Sequence, residues 1–233
     1  VRAILLAAGF GSRLRPITLS TPKCLVPIQG TPLLDYWLAA LLDESIIERV
    51  LINTHHLAEQ VRAHVATSRW RERIELVHEA ELLGTGGTLK ANRAFWGEEP
   101  VLVAHADNLT EFDLRAFATA HAGRPAHCAM TMLAFRSDDP RSCGILELDD
   151  ASVVRGFHEK VADPPGNLAN AAVYLMTPEV TCFIHRLTGP FVDLSTEVIP
   201  AFVGRILAVE TQGYHRDVGT LESLAKAEAE FRP

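Results

Sequence analysis

The stretch VRAILLAAGFGSRLRPITLSTPKCLVPIQG, Val1 to Gly30, decides how the rest of the chain is read. Ala3 to Leu6 is an apolar run of strand length. It passes directly into Ala7-Ala8-Gly9-Phe10-Gly11-Ser12-Arg13, and then into an irregular segment carrying Pro16, Pro22 and Pro27. The two glycines permit a tight turn and let the backbone come close to a ligand. Exposed N–H groups there, with Arg13 and Lys23 arriving on the same side, suit a polyphosphate. A plain strand and surface loop with two unrelated cations would look the same over these thirty positions, so the residues beyond Gly30 must decide.

At 233 residues and 48% apolar, the chain can bury a substantial core in one sizeable α/β domain. A net charge of −7 with no basic block argues against a nucleic-acid footprint. Cations for an anionic substrate must therefore be concentrated locally. Cys24, Cys128, Cys143 and Cys182 form no C-x-x-C pair and sit in apolar or strand-like contexts. They read as reduced, mostly buried thiols of a cytoplasmic protein. The opening apolar run is too short for a signal peptide, and no run reaches transmembrane length.

Downstream, Thr31 and Pro32 look like the N-cap and first residue of a helix whose Leu34, Leu38, Leu41 and Leu42 recur at helical spacing. Arg49 to Asn53, Arg73 to Val77 and Pro100 to Ala104 read as strands. Leu57 to Val65 and Leu89 to Phe95 read as helices between them. Strand–helix alternation predicts a Rossmann-like, mostly parallel mixed sheet covered by helices, with ligands at the strands' carboxyl ends. After about residue 125 the pattern changes to short strands at 127–135, 144–148, 153–158 and 169–176. Helices are expected at 178–186 and 194–203, strands at 205–210 and 213–217. Thr220 caps a last helix with Leu221, Leu224, Ala225 and Phe231 on one face. The expectation is a single compact domain over 1–233, with a nucleotide half (1–125) and a substrate half (126–233).

Simple motifs fail on the loop. Leu14 stands where a dinucleotide fingerprint needs its third glycine, Asn53 replaces the acidic residue that would hold a ribose, and no Lys-Ser or Lys-Thr follows the glycines. Hydride transfer and a Walker-type ATPase are therefore disfavoured. What remains is the compound pattern G-x-G-x-x-R-L-x-P, then Thr21-Pro22-Lys23, then Pro27. That pattern resembles the signature of the sugar-1-phosphate nucleotidyltransferases, and the resemblance runs along nearly the whole chain. Leu83-Gly84-Thr85-Gly86-Gly87 is similar to the family's base-binding turn, although a glycine turn opening a helix is commonplace. Asp107 resembles the strand-end aspartate, with Ala106 where glycine is usual. Phe157-His158-Glu159-Lys160 resembles F-x-E-K-P, with Val161 in place of proline. Asn170 to Tyr174 resembles N-x-G-x-Y, with Ala172 in place of glycine. Asp217-Val218-Gly219-Thr220 resembles D-I-G-T. Asp193 to Glu197 fits either a helix cap or a sugar contact.

The resemblance implies an enzyme that joins an NTP to a sugar 1-phosphate and releases pyrophosphate, with Mg²⁺ held by Asp107 and Asp217. It implies catalytic roles for Arg13, Lys23 and Asp107. Nucleotide contacts would come from Leu6, Ala8, Gly9, Gly11, Ser12, Gly84, Thr85 and Gly86, and substrate contacts from Gly144, Glu159, Lys160, Asn170 and Asp217. The look of the loop and turn is closest to mannose- or heptose-1-phosphate guanylyltransferases. Uridylyl or thymidylyl transfer to another sugar, such as N-acetylmuramate 1-phosphate, stays open, as does a nucleotide-binding regulatory module without activity. No membrane or nucleic-acid partner is expected, and a homo-oligomer is left open.

Overall fold

The computed structural model describes residues 1–232. In chain order the strands are β1 (Arg2–Leu6), β2 (Pro27–Ile28), β3 (Thr31–Pro32), β4 (Val50–Thr54), β5 (Ile74–His78), β6 (Val101–His105), β7 (Asn108–Thr110), β8 (Met130–Arg136), β9 (Gly144–Leu148), β10 (Val154–Glu159), β11 (Leu168–Met176), β12 (Ile206–Glu210) and β13 (His215–Asp217). The α-helices are α1 (Leu33–Leu42), α2 (Ala58–Thr67), α3 (Thr85–Ala91), α4 (Leu114–Ala122), α5 (Pro178–Arg186) and α6 (Leu221–Glu230). The chain thus adopts the expected α/β class. It forms two compact units, each discontinuous in sequence: the first is 1–82, 104–112 and 213 onward, the second 83–103 and 113–212.

In the first unit β1, β4 and β5 run in parallel, with Leu5 opposite Ile52 and Ile52 opposite Leu76. The fully buried Ile, Leu and Val side chains of β1 and β4 are those of strands covered on both faces. Helix α1 buries Leu33, Leu34, Trp37, Leu38, Leu41 and Leu42, and α2 buries Val61 and Val65. Thr31 and Pro32 do not start α1. They pair with Ile28 and Pro27 in a small hairpin, turned by Gln29 (φ 51°) and Gly30 (φ 79°). Two successive positive φ values are what a tight antiparallel hairpin needs. Helix α6 opens on a capping box between Thr220 and Ser223. Leu224 and Ala227 face inward and, with Phe231 just past the helix end, pack with Ile28, Leu33, Leu109 and Val218. Leu221 and Ala225, expected on that face, are exposed.

The second unit is built around β11, flanked antiparallel by β8 and β9; β10 pairs with β9 antiparallel, and β12 with β8 in parallel. The helix expected over 194–203 is instead one π-type turn (Leu194–Val198) followed by a 3₁₀ turn (Pro200–Phe202). The Ile199 N–H reaches back to Leu194 O at 2.8 Å, and Pro200 has no N–H to continue an α-helix. The helix expected to run to Phe95 starts earlier, at Thr85, and ends at Ala91. All four cysteines are free thiols, Cys24 and Cys128 buried, Cys143 and Cys182 half-buried.

One buried group is expected to make folding acid-sensitive. His121 on α4 faces Thr131 on β8, with Nδ1 2.8 Å from the hydroxyl, and Nε2 is buried without a partner among the described residues. Burial, reinforced by the Arg124 charge, pushes its pKa from 6.5 down to about 4. The unfolded chain therefore binds the proton more readily than the folded one. The stabilisation is complete above pH of about 6.5 and is lost as the pH falls towards about 4, for a total of roughly 3 kcal/mol. Urea unfolding at neutral and acidic pH is expected to show this loss in the wild type and a flatter dependence in His121→Gln; identical slopes would contradict the assignment.

Candidate active site

The glycine loop follows β1 directly. Among the described residues, no acceptor is found for the backbone N–H groups of Gly9, Phe10, Gly11, Ser12 and Arg13. A row of open N–H groups is an anion-binding surface. The loop is shaped from behind. Ala7 N–H donates to Asn53 Oδ1 (2.7 Å), Asn53 Nδ2 donates to the buried Glu79 carboxylate (2.9 Å), and Thr18 Oγ1 donates to Gly11 O (2.7 Å). Phe10 sits edge-on to His55, with ring centroids 5.0 Å apart. Leu6 and Ala8 are buried, whereas Gly9 lies at the surface. In the sequence Asn53 serves only to exclude a dinucleotide site, and no motif draws attention to Glu79 or Thr18. A polar residue near the end of an otherwise apolar strand, as Asn53 is on β4, is the signal that marks such a support.

Lys23 enters from a 3₁₀ turn, Lys23–Leu25, held by Leu25 N–H to Pro22 O at 2.8 Å. Its side chain is only 7% exposed, and Nζ donates to Asp107 Oδ2 at 2.6 Å and to Asp217 Oδ1 at 3.4 Å. Two aspartates far apart in sequence meet because β13 pairs antiparallel with β7, setting Asp217 opposite Asn108. The Val218 N–H closes the ladder on Asp107 O at 3.1 Å, and Trp37 Nε1 donates to Asn108 O at 2.8 Å. Arg13 Nη2 stands 3.9 Å from Asp217 Oδ2, with its side chain 67% exposed. Burial pushes the Asp107 carboxyl up, but the Lys23 and His105 charges and the Lys23 hydrogen bond outweigh it and hold it below the usual carboxylate range. Neighbouring Cys24 is no nucleophile, since burial pushes its thiol up to about 12.

Two carboxylates turned onto one point also suit a divalent metal with a preference for oxygen. Among the described residues there is no group of three or more His, Cys, Asp or Glu fit for a metal. Further donors at Asp107 and Asp217 would be phosphate oxygens and water, the ligand set Mg²⁺ prefers.

In the second unit the turn 83–87 is zipped onto the segment before the π-type turn. Gly86 and Gly87 N–H both donate to Val192 O (2.8 and 3.2 Å), Val192 N–H donates to Leu83 O (3.0 Å), and Leu194 N–H donates to Thr85 Oγ1 (2.8 Å). These two glycine N–H groups are thus committed to the fold. A Cβ would clash at all three glycines, at 2.4 Å from the Val192 carbonyl oxygen for Gly84, 2.6 Å from Val192 Cγ1 for Gly86 and 2.9 Å from Leu83 Cβ for Gly87, and only at Gly84 is the obstacle backbone. The Thr85 hydroxyl in turn reaches Asp193 Oδ2 at 3.3 Å. Asp193 Oδ1 accepts from Ser195 and Thr196 N–H, so the capping role is realised.

Glu159 lies opposite Gly144 across β9 and β10. A Cβ on Gly144 would stand 2.6 Å from Glu159 Oε2 and from the Phe157 ring, so only glycine leaves the carboxylate its place. Lys160 takes a left-handed φ of 50°, its N–H tied to Cys143 O at 3.0 Å, its side chain 65% exposed and its ammonium 3.3 Å from Glu159 Oε1. On β11, Asn170 Nδ2 donates to Tyr174 Oη (2.7 Å) and Oδ1 accepts from Ala172 N–H (2.9 Å) at a break in the strand register. Ala172 has φ 54°, a conformation that costs a non-glycine residue about 1–2 kcal/mol. Burial raises the Tyr174 pKa, so its hydroxyl stays neutral.

A parallel α/β unit with a row of open loop N–H groups at a strand end and a carboxylate pair beside it suits a protein that handles nucleotides. The Nucleotidyl transferase family matches residues 2–232, and the chain belongs to that family. It is 29% identical over 94% of its length to the mannose-1-phosphate guanylyltransferase catalytic subunit beta of Drosophila pseudoobscura pseudoobscura, and 35% identical over 96% to a glucose-1-phosphate thymidylyltransferase of Streptomyces griseus. The chain spans 59% and 64% of those two relatives. The structure of HddC from Yersinia pseudotuberculosis with GMP-PN superposes with a TM-score of 0.80 at 24% identity, covering 99% of each chain. No helix among the described residues is long and apolar enough to cross a membrane.

Proposed function

We propose that the chain transfers a nucleotidyl group from an NTP to a sugar 1-phosphate. A phosphate oxygen of the sugar attacks the α-phosphorus in line, the bond from that phosphorus to the bridging oxygen breaks, and pyrophosphate leaves with the electron pair. The nucleophile is already an anion, so no general base is required; the work is positioning and charge neutralisation. The observation that carries this reading is the row of open loop N–H groups beside Lys23, Arg13 and the Asp107–Asp217 pair.

Arg13 serves the β- and γ-phosphates and the leaving pyrophosphate. Lys23 serves the α-phosphate. Gly9, Gly11 and Ser12 supply backbone donors; Leu6, Ala8 and the Gly84-Thr85-Gly86 turn serve the nucleoside. Asp107 and Asp217 would hold Mg²⁺, whose charge offsets that of the phosphates. Glu159, Asn170 and Gly144 serve the sugar, and Lys160 serves its phosphate.

GTP with a mannose- or heptose-type sugar 1-phosphate is the substrate pair we favour, on the guanylyltransferase relative and the GMP-PN-bound neighbour. The Streptomyces griseus relative supports thymidylyl transfer as the second reading. A matrix of four NTPs against several sugar 1-phosphates, read by pyrophosphate release with Mg²⁺, tests both. Highest kcat/KM with GTP is the expected result, and highest with dTTP or UTP would transfer the assignment. NTP binding with no turnover for any pair would leave a regulatory module. The cytoplasm, where activated sugars for surface polysaccharides are made, is the proposed location.

A further inference from the structure

In the first unit the side chains assigned to phosphate and those assigned to metal are paired with each other. Lys23 Nζ reaches both carboxylates, at 2.6 Å and 3.4 Å. A short charge-assisted contact of this kind is a strong one. The lysine stem has little room to leave. Its side chain is almost fully enclosed, the 3₁₀ turn fixes its backbone, and its Cβ lies against Gly11. Only the ammonium can pivot, and removed from the carboxylates it needs another anion, because an enclosed unpaired charge is costly.

We propose that Lys23 is a placeholder cation: it holds the seat on Asp107 and Asp217 that a divalent metal takes, and it cedes that seat only when a phosphate arrives to receive it. This rests on the reading of these residues as a nucleotide and metal site. An ammonium and a metal ion compete for the same oxygens and repel each other. Metal alone must therefore strip Lys23 of both partners, whereas metal and triphosphate together exchange one set of ion pairs for another. The two ligands favour each other's binding for that reason, and by linkage each helps the other equally. Arg13, 3.9 Å from Asp217 and largely in solvent, contributes little to the competition.

The test is direct Mn²⁺ binding without nucleotide, by calorimetry or by the spin-resonance signal of the free ion. Lys23→Gln and Lys23→Met are both expected to bind Mn²⁺ roughly tenfold tighter than wild type, the usual range of such coupling. Arg13→Gln is expected to change the affinity less than about twofold, since an exposed pair is weak. Adding Asp107→Asn to either lysine variant should abolish the gain. Variants that melt like wild type yet bind Mn²⁺ no tighter overturn the proposal.

In the wild type itself, at a Mg²⁺ concentration well below the Kd for metal alone, the Nζ resonance of ¹⁵N-labelled Lys23 should stay in place, and it should move once an NTP is added to the same Mg²⁺. A shift at that Mg²⁺ concentration without NTP overturns the proposal whatever the variants do. Turnover is read separately. An active wild type with unchanged metal affinity in the variants defeats only the placeholder. Tighter Mn²⁺ binding in a protein that releases no pyrophosphate from any substrate pair defeats only the transfer reading.

Discussion

Asp217→Asn is expected to lower Mg²⁺-dependent kcat by about 10²–10³, the effect of deleting one preorganised electrostatic contact at a reacting centre. Asp217 is the more exposed of the two carboxylates, 54% against 38% for Asp107. It is positioned by the β7–β13 ladder, through backbone bonds that an amide side chain leaves intact. The variant should therefore fold normally and lose activity through charge alone. Asp107→Asn should lose at least as much, since Asp107 makes the shorter contact with Lys23. Steady-state pyrophosphate release at saturating Mg²⁺, alongside a thermal melt, checks both. Full activity in either folded variant removes that aspartate from the metal and phosphate chemistry.

Gly84→Ala is expected to damage the second unit's fold. Gly84 has φ +77°, and a Cβ there would meet the Val192 carbonyl oxygen at 2.4 Å. Backbone oxygen cannot swing aside as a flexible side chain can. It also accepts the Gly86 and Gly87 N–H groups, so pushing it away breaks the zipper that holds the turn. The left-handed φ costs about 1–2 kcal/mol, and forced overpacking typically adds about 1–3 kcal/mol. For a chain of this size each kcal/mol lowers Tm by about 2–4 °C. Gly9→Ala is the matched control: a Cβ at Gly9 meets nothing within 4 Å, so its melt should stay close to wild type while nucleotide binding weakens. Equal Tm for Gly84→Ala and wild type would contradict the packing account.

Residue types in the loop were readable because glycines and cations near a short apolar strand restrict the chemistry before any tertiary contact is known. Strands β1 and β4 of the first unit were readable for a related reason: a strand buried on both faces writes itself as a nearly unbroken apolar run. Contacts set by pairing across long separations are not written in the local pattern; only the family resemblance put Asp107 and Asp217 on one metal. Nothing local marks Asp217 as the neighbour of Asp107; the β7–β13 register does that. Asn53 looked like an absence, a missing ribose ligand, whereas in the fold it buttresses the loop through the Ala7 N–H. Thr31-Pro32 carried a helix-start pattern that hairpin pairing with Pro27 and Ile28 overrides. The segment 194–203 kept helical spacing of apolar residues, yet Pro200 interrupts the donors an α-helix needs. At Ala172 the departure from the family's glycine was visible, but its meaning, a positive φ carried by alanine, needed the backbone.

The most direct test of the central claim is the stoichiometry of pyrophosphate release when purified protein is mixed with an NTP, a sugar 1-phosphate and Mg²⁺. Nucleotidyl transfer predicts one pyrophosphate per NDP-sugar formed, dependence on both substrates and the metal, and loss of the signal in Asp217→Asn. Nucleotide binding without pyrophosphate from any pair, or release of inorganic phosphate in its place, would contradict it.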